Sequence, residues 1–179
     1  MEEIKDEIVM LRVKDGNLAE LKTLFERYHV RLYNFFLKLT FDKEASQDLT
    51  QNLFYRIIRY RHTFEGNDNS FRPWIYQMAR NIHADHYRQQ KKNNERISRM
   101  NNNHNNVSGN ENSYDEDDYA RLESAMLKLR PEQREILVLS RYQGMKYEEI
   151  SKIKNLSVPA IKVQVHRTIK ELRKIYFNE

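Results

Sequence analysis

The chain has 179 residues, of which 39% are hydrophobic and 32% charged, with four glycines, three prolines, no cysteine and a formal net charge of +5. That length supports one or two small cores, and the missing cysteine excludes disulfides and thiolate metal sites. No run approaches the roughly 18–20 apolar residues of a membrane-spanning helix, and the acidic start Met1-Glu2-Glu3 lacks the apolar core of a signal peptide, so a soluble cytoplasmic protein is expected.

With few glycines and prolines and no alternating apolar runs, the expected fold is all-α: two small helical domains joined by a flexible linker. A first helix is predicted over 3–14, stopped near Asp15-Gly16. Asn17 is placed to cap a second, 18–40, in which Leu21, Leu24, Phe25, Tyr28, Leu32 and Phe35 recur at helical spacing. Asp42 is placed to cap a third, over 43–61. Its stripe Ala45, Leu49, Leu53 and Ile57 is sufficient for a core, which leaves Asp48, Gln51, Phe54, Tyr55 and Ile58 on other faces. An apolar centre with polar edges suits protein docking, although packing against the N-terminal helix would cover part of it.

After a loop over 63–69, a fourth helix is predicted from Ser70 to about Gln90, with Pro73 in its first turn. Phe71, Trp74, Ile75, Met78, Ala79 and Ile82 form the inward face. Tyr76, Arg80, His83, Tyr87 and Arg88 lie outward or at the edges, with Asn81 on one border. Cations interleaved with aromatic rings suit single-stranded nucleic acid, the former for phosphates and the latter for unstacked bases. The same Tyr and His residues are equally compatible with a face that skirts the core.

Residues 93–118 are predicted to be the linker between a domain at 1–92 and a domain at 119–179. Nine asparagines fall between Asn93 and Asn112, followed by Asp115-Glu116-Asp117-Asp118, with no period that could bury a face. The charge is basic on both sides of this acidic middle, which suits two nucleic-acid-facing modules; ordinary solvated faces would explain it equally well. Beyond it, helices are predicted over 119–128 and 131–142, the latter ended by Gly144.

The last two helices, 147–153 and 158–177, make a helix-turn-helix. Asn155 stands where the turn needs a left-handed residue, Ser157 can cap the second helix, and Pro159 lies in its first turn. Ile161, Val165, Ile169 and Leu172 share the inner face. Val163, Arg167, Lys170 and Lys174 point the other way, flanked by Lys162, Gln164 and His166. An outward valine among cations fits a major-groove surface, where a methyl can meet a thymine and neighbours reach bases and phosphates. A generic solvated amphipathic helix is the plainer alternative.

Three segments, in order, resemble the sigma-70 family and specifically its short extracytoplasmic-function members. Asp48-Leu49-Thr50-Gln51-Asn52-Leu53-Phe54 resembles its core-binding signature. Phe71-Arg72-Pro73-Trp74-Ile75-Tyr76-Gln77-Met78-Ala79-Arg80-Asn81 resembles its promoter-melting segment, and residues 147–173 its region 4 helix-turn-helix. The resemblance covers about 18–92 and 119–176. It implies a sigma factor that binds RNA polymerase core, directs it to promoters and helps melt the −10 element.

In that frame Asp48, Gln51, Asn52, Phe54 and Ile58 would dock on the polymerase clamp helices. Tyr76, Arg80, Asn81, His83, Tyr87 and Arg88 would serve the −10 element. Lys162, Val163, Gln164, His166, Arg167 and Lys170 would serve the −35 element, while another surface of region 4 meets the polymerase flap. The acidic linker would thread the RNA exit path. The partners implied are polymerase, promoter DNA and an anti-sigma factor, with no cofactor, metal, small-molecule substrate or catalytic residue. Val163, Gln164, Ser151, Asn155 and Pro159 depart from the usual pattern, and the first two put the −35 preference in question.

Two other readings compete. A helix-turn-helix regulator of the LuxR type, with a helical partner-binding domain, would explain 119–177 but not the order of the earlier motifs. A nucleic-acid enzyme would need a metal at the His83/His86 pair near Asp85 or at the acidic run, yet His86 falls towards the apolar side, the acidic run sits in the linker, and no further ligand or phosphate-binding loop is indicated.

Overall fold

The computed structural model describes residues 4–67, 70–100 and 114–178. Eight α-helices carry the fold among these residues: α1 (Asp6–Lys14), α2 (Leu21–Thr40), α3 (Lys43–Tyr60), α4 (Phe71–Met100), α5 (Tyr114–Lys128), α6 (Pro131–Leu137), α7 (Tyr147–Lys154) and α8 (Val158–Phe177). Short 3-10 turns at Leu18–Glu20 and Arg61–Thr63 flank α2 and α3, and α6 continues into a π-turn, Val138–Tyr142.

The first bundle, α1–α4, closes around aromatic rings. α2 buries Leu24, Tyr28, Leu32, Phe35, Phe36 and Leu39, spaced three or four apart so that they share one face. Tyr76 meets Phe35 edge-on at 5.4 Å, and Phe71 meets Tyr28 at 5.2 Å. The loop before α4 is pinned by Phe64, 1% exposed, which packs on Phe71 and Trp74. Lys14 Nζ holds the Phe64 carbonyl at 2.5 Å. Gly66 in that loop has φ +78°, and a Cβ there would stand 2.7 Å from a Leu11 methyl. Conformation and space both demand glycine.

Caps and long-range polar contacts fix the helix starts. Asp42 accepts from the Ala45 N–H at 3.0 Å, as its position in the sequence predicts. Asn17 makes no side-chain cap; a 3-10 turn intervenes before α2. The carboxylate of Glu7, far away in sequence, accepts from the Phe71 N–H at 3.2 Å at the start of α4. Asp6 accepts from Arg27 at 2.6 Å and from the Tyr28 hydroxyl at 2.5 Å, which ties α1 to α2.

Both edges of the expected linker are helical. α4 continues past Gln90 to Met100, and α5 starts at Tyr114 rather than Tyr119. Residues 89–96 are exposed, so this stretch is helical without burial. Its Gln, Lys, Glu and Arg are good helix formers, and acidic residues like those of 115–118 favour helix starts through the dipole. The rest of the linker, 101–113, lies outside the described residues.

The second block, α5–α8, packs directly on the first, and both contribute to one continuous apolar core. Arg134 on α6 joins them. Its guanidinium donates to the carbonyls of Met126 (3.0 Å), Leu127 (2.8 Å) and, across the boundary, Leu39 (2.8 Å). It also lies over the ring of Phe41, which ends α2 in the left-handed region at φ 55°. Lys38 on α2 donates to the hydroxyl of Tyr119 on α5.

Candidate nucleic-acid interface

The helix-turn-helix forms as its residues predict. Ile150 and Ile153 of α7 are buried, and Asn155 takes φ 52°, ψ 47°. Asn tolerates that left-handed geometry better than other residues with a side chain. Ser157 then caps α8 through the Ala160 N–H at 3.4 Å, while Ser151 Oγ donates to the Leu156 carbonyl at 2.5 Å and closes the turn. At the start of α7, Glu149 accepts from the Lys146 N–H at 2.8 Å, a stabilising N-terminal contact.

Along α8, Ile161, Val165 and Thr168 are buried, with Ile169 and Leu172 half-buried beside them. Lys162, Val163, Gln164, His166, Arg167 and Lys170 are all exposed. Val163 is 47% exposed, so this branched side chain stands outward among cations and a glutamine.

α4 is less simple. Tyr76, expected on the outer side, is completely buried. Its ring belongs to the Phe35 cluster, and its hydroxyl donates to Gln143 Oε1 at 2.6 Å. Burial pushes its pKa up to about 12. Sequence spacing put Tyr76 at the edge of the buried stripe, and the second block then covers that edge. It is therefore a packing residue, not a free nucleic-acid contact.

Arg80 is half-buried and donates through Nε to Glu135 at 3.0 Å. His83 is half-buried too, and burial, with His86 and Arg134 nearby, lowers its pKa to about 4. It is neutral at physiological pH. Asn81, Tyr87 and Arg88 remain exposed, and Arg88 pairs with Asp85 at 3.0 Å.

A concavity of about 280 Å³ opens on the other flank of α4, lined by Arg56, Tyr60, Thr63, Trp74, Gln77, Met78 and Asn81. Trp74, expected inside, is half-buried at its wall and donates to Thr63 Oγ1 at 3.3 Å. A cation, two aromatic rings and two amides around a cleft of this kind can stack a base and bind its edge. Of these residues the expected set held Asn81. Arg56 and Tyr60 were readable as an i, i+4 pair at the end of α3, but only the fold brings them to Trp74.

On α3, Asp48, Gln51 and Asn52 are exposed and Ile58 is half-buried. Phe54, expected outside, is 7% exposed because its ring packs on Phe25 of α2 at 4.8 Å. Phe25, expected inside, is 45% exposed, as is Tyr55 at 63%. The apolar centre of this polar-edged face is thus Phe25, resting on Phe54. The cover comes from α2 rather than α1.

Among the described residues no group of three or more His, Asp or Glu is placed to hold a metal ion, and no helix is long and apolar enough to cross a membrane.

Two family models match the chain in this order: Sigma-70 region 2 over residues 24–93 and Sigma-70, region 4 over residues 119–172. The chain is 29% identical over 166 residues to the RNA polymerase sigma factor CarQ of Myxococcus xanthus, covering 93% of this chain and 94% of that one. It is 27% identical over 157 residues to the ECF RNA polymerase sigma factor SigX of Bacillus subtilis, covering 84% and 80%. In fold it is similar to CnrH, solved with the cytosolic domain of CnrY (TM-score 0.75, 22% identity, covering 97% and 98%). It is also similar to RpoE of Bartonella quintana, solved with the anti-sigma factor NepR (TM-score 0.67, 21% identity, covering 86% and 94%).

Proposed function

The chain belongs to the sigma-70 family, and from that premise we propose that it is a sigma factor of the extracytoplasmic-function type, which binds RNA polymerase core and directs it to promoters. The observation that carries this reading is one chain holding both modules in order: a bundle with a polar-edged docking face, and an ordered helix-turn-helix with an outward basic face. A regulator of the LuxR type would account for α5–α8 but not for the region 2 match over 24–93, and it is not favoured.

Asp48, Gln51, Asn52 and Ile58, with Phe25 resting on Phe54, form the surface for the polymerase clamp helices. Arg80, Asn81, His83, Tyr87 and Arg88 serve the −10 element, with the cleft between Tyr60 and Trp74 beside them. Lys162, Val163, Gln164, His166, Arg167 and Lys170 enter the major groove at the −35 element, where Val163 offers only an apolar contact and Gln164 both a donor and an acceptor.

The chain acts as an initiation factor. It supplies positioning and strand opening while the polymerase supplies the chemistry, so it is not itself an enzyme. It works in the cytoplasm with core polymerase and promoter DNA, and an anti-sigma factor restrains it. Reconstituted transcription tests this reading: purified chain added to core polymerase should yield promoter-specific transcripts from a genomic fragment library. No specific transcript from any fragment, with core enzyme active on a control sigma factor, refutes it.

A further inference from the structure

The outward side of the helix-turn-helix carries an apolar row as well as cations. Leu156 in the turn is 36% exposed and Val163 is 47% exposed. Pro159, four residues before Val163, is exposed too. On α8 these last two lie about 40° apart around the axis and about 6 Å apart along it, so they front the same side. The fold needs neither of them there. Ile161, Val165 and Thr168 make the buried stripe of this helix, and Ser157 supplies its cap. Proline is tolerated in a first turn but not required.

Position and charge say what covers this row. It stands in the N-terminal half of the second helix, the part that reaches base edges when a helix-turn-helix lies in the major groove. Between Glu149 and Glu171 there is no acidic residue, while Lys152, Lys162, Arg167 and Lys170 are exposed around the row. An apolar protein partner would have to bury those cations, whereas a duplex pairs its phosphates with them. The apolar group that a base edge offers inside the groove is the thymine C5-methyl. Cytosine instead presents an amino donor, which neither valine nor proline can accept.

On the sigma-factor reading, we propose that Pro159 and Val163 read two thymine methyls in the −35 element. The two thymines lie no more than about two base pairs apart, because about 6 Å of helix spans about two steps of 3.4 Å. The cations hold the helix in the groove, and the methyl contacts set the sequence.

The test selects its own DNA. The full chain bound to core polymerase is offered duplex fragments of random sequence, and the bound fragments are sequenced. Each thymidine of the selected −35 segment is then replaced in turn by deoxyuridine, which removes the C5-methyl and keeps the base pair. Two positions, no more than two base pairs apart, should each lose roughly fourfold in affinity. Val163→Ser should abolish the penalty at one of them and Pro159→Ser at the other, with helix content by circular dichroism unchanged. Gln164→Ala should weaken binding and leave both penalties in place.

Equal binding of thymine and uracil duplexes would overturn the proposal, as would penalties that survive both serine substitutions. If the chain directs core polymerase to no fragment, the sigma reading fails. The same selection with the chain alone in 50 mM salt then decides, because α8 presents this face without polymerase. A uracil penalty tied to Val163 and Pro159 sustains methyl reading there; no penalty, or no selected sequence, refutes it.

Discussion

His83 shows how a single environment overrides a residue's ordinary chemistry. A histidine on a basic helix invites the role of a cation toward phosphate. Burial beside Arg134 instead lowers its pKa to about 4, from about 6.5 in an unfolded chain. The unfolded chain then binds more protons between those two values, so stability is full above pH 6.5 and is lost as pH falls toward 4. The contribution is at most about 3 kcal/mol. Thermal unfolding of the wild type and His83→Gln at pH 7, 6 and 5 should show a shallower decline for the variant; parallel curves would mean that His83 is solvated. Asn155 is a second case. Its φ of 52° strains any ordinary side chain, so Asn155→Ala should cost about 1 kcal/mol while Asn155→Gly is neutral. Equal midpoints for both in urea unfolding would show that the turn relaxes.

At the scale of helices, α8 and α3 present opposite lessons. α8 displays all seven residues that its periodicity turns outward or to the flanks, because an amphipathic helix with one buried stripe leaves little choice. Arg167→Ala should weaken binding to all −35 sequences and flatten the salt dependence by about one phosphate contact, whereas Val163→Ser should alter base preference. Indistinguishable profiles on a panel of mutated −35 duplexes would refute that division of roles. α3 has two apolar stripes, and its own sequence could not say which neighbour would cover the second. α2 does so through Phe25 on Phe54, leaving Asp48 and Gln51 as an exposed rim. Asp48→Ala or Gln51→Ala should lower capture of core polymerase several-fold without changing the melting temperature. Wild-type capture by both would remove the rim from the docking face.

For the whole molecule, the coupling between blocks decides behaviour. Arg134 binds carbonyls at the ends of α2 and α5 from its place on α6, and the apolar core continues across the boundary. The chain should therefore unfold in a single calorimetric transition. Arg134→Ala strands several carbonyls and should cost about 3 kcal/mol, and with the tie gone the two blocks should melt separately. One sharp transition in the variant would show that apolar contact alone couples them.

The all-helical class, the order of the helices, the Asp42 and Ser157 caps, the Asn155 turn and the outward face of α8 could all be read from the chain. Each depends on interactions within a few residues: periodicity, capping and local backbone preference. The extension of α4 to Met100 was hidden because asparagines and charges suggest a loop while its helix formers favour a helix, and the exposed residues 91–96 bring no burial to decide between them. Tyr76, Phe54 and the Tyr60–Trp74 cleft lay beyond such reasoning for another reason. A residue at the border of an amphipathic stripe is inside or outside only when a second element arrives, and the partner that covers it lies far along the chain. The pairing of Glu135 and Glu149 with Arg80 and Arg72 is likewise a property of tertiary packing, because nothing local distinguishes those carboxylates from solvated ones. The sequence by itself determined which surfaces this protein owns, and the tertiary structure decided which of them are covered while the two blocks are packed together.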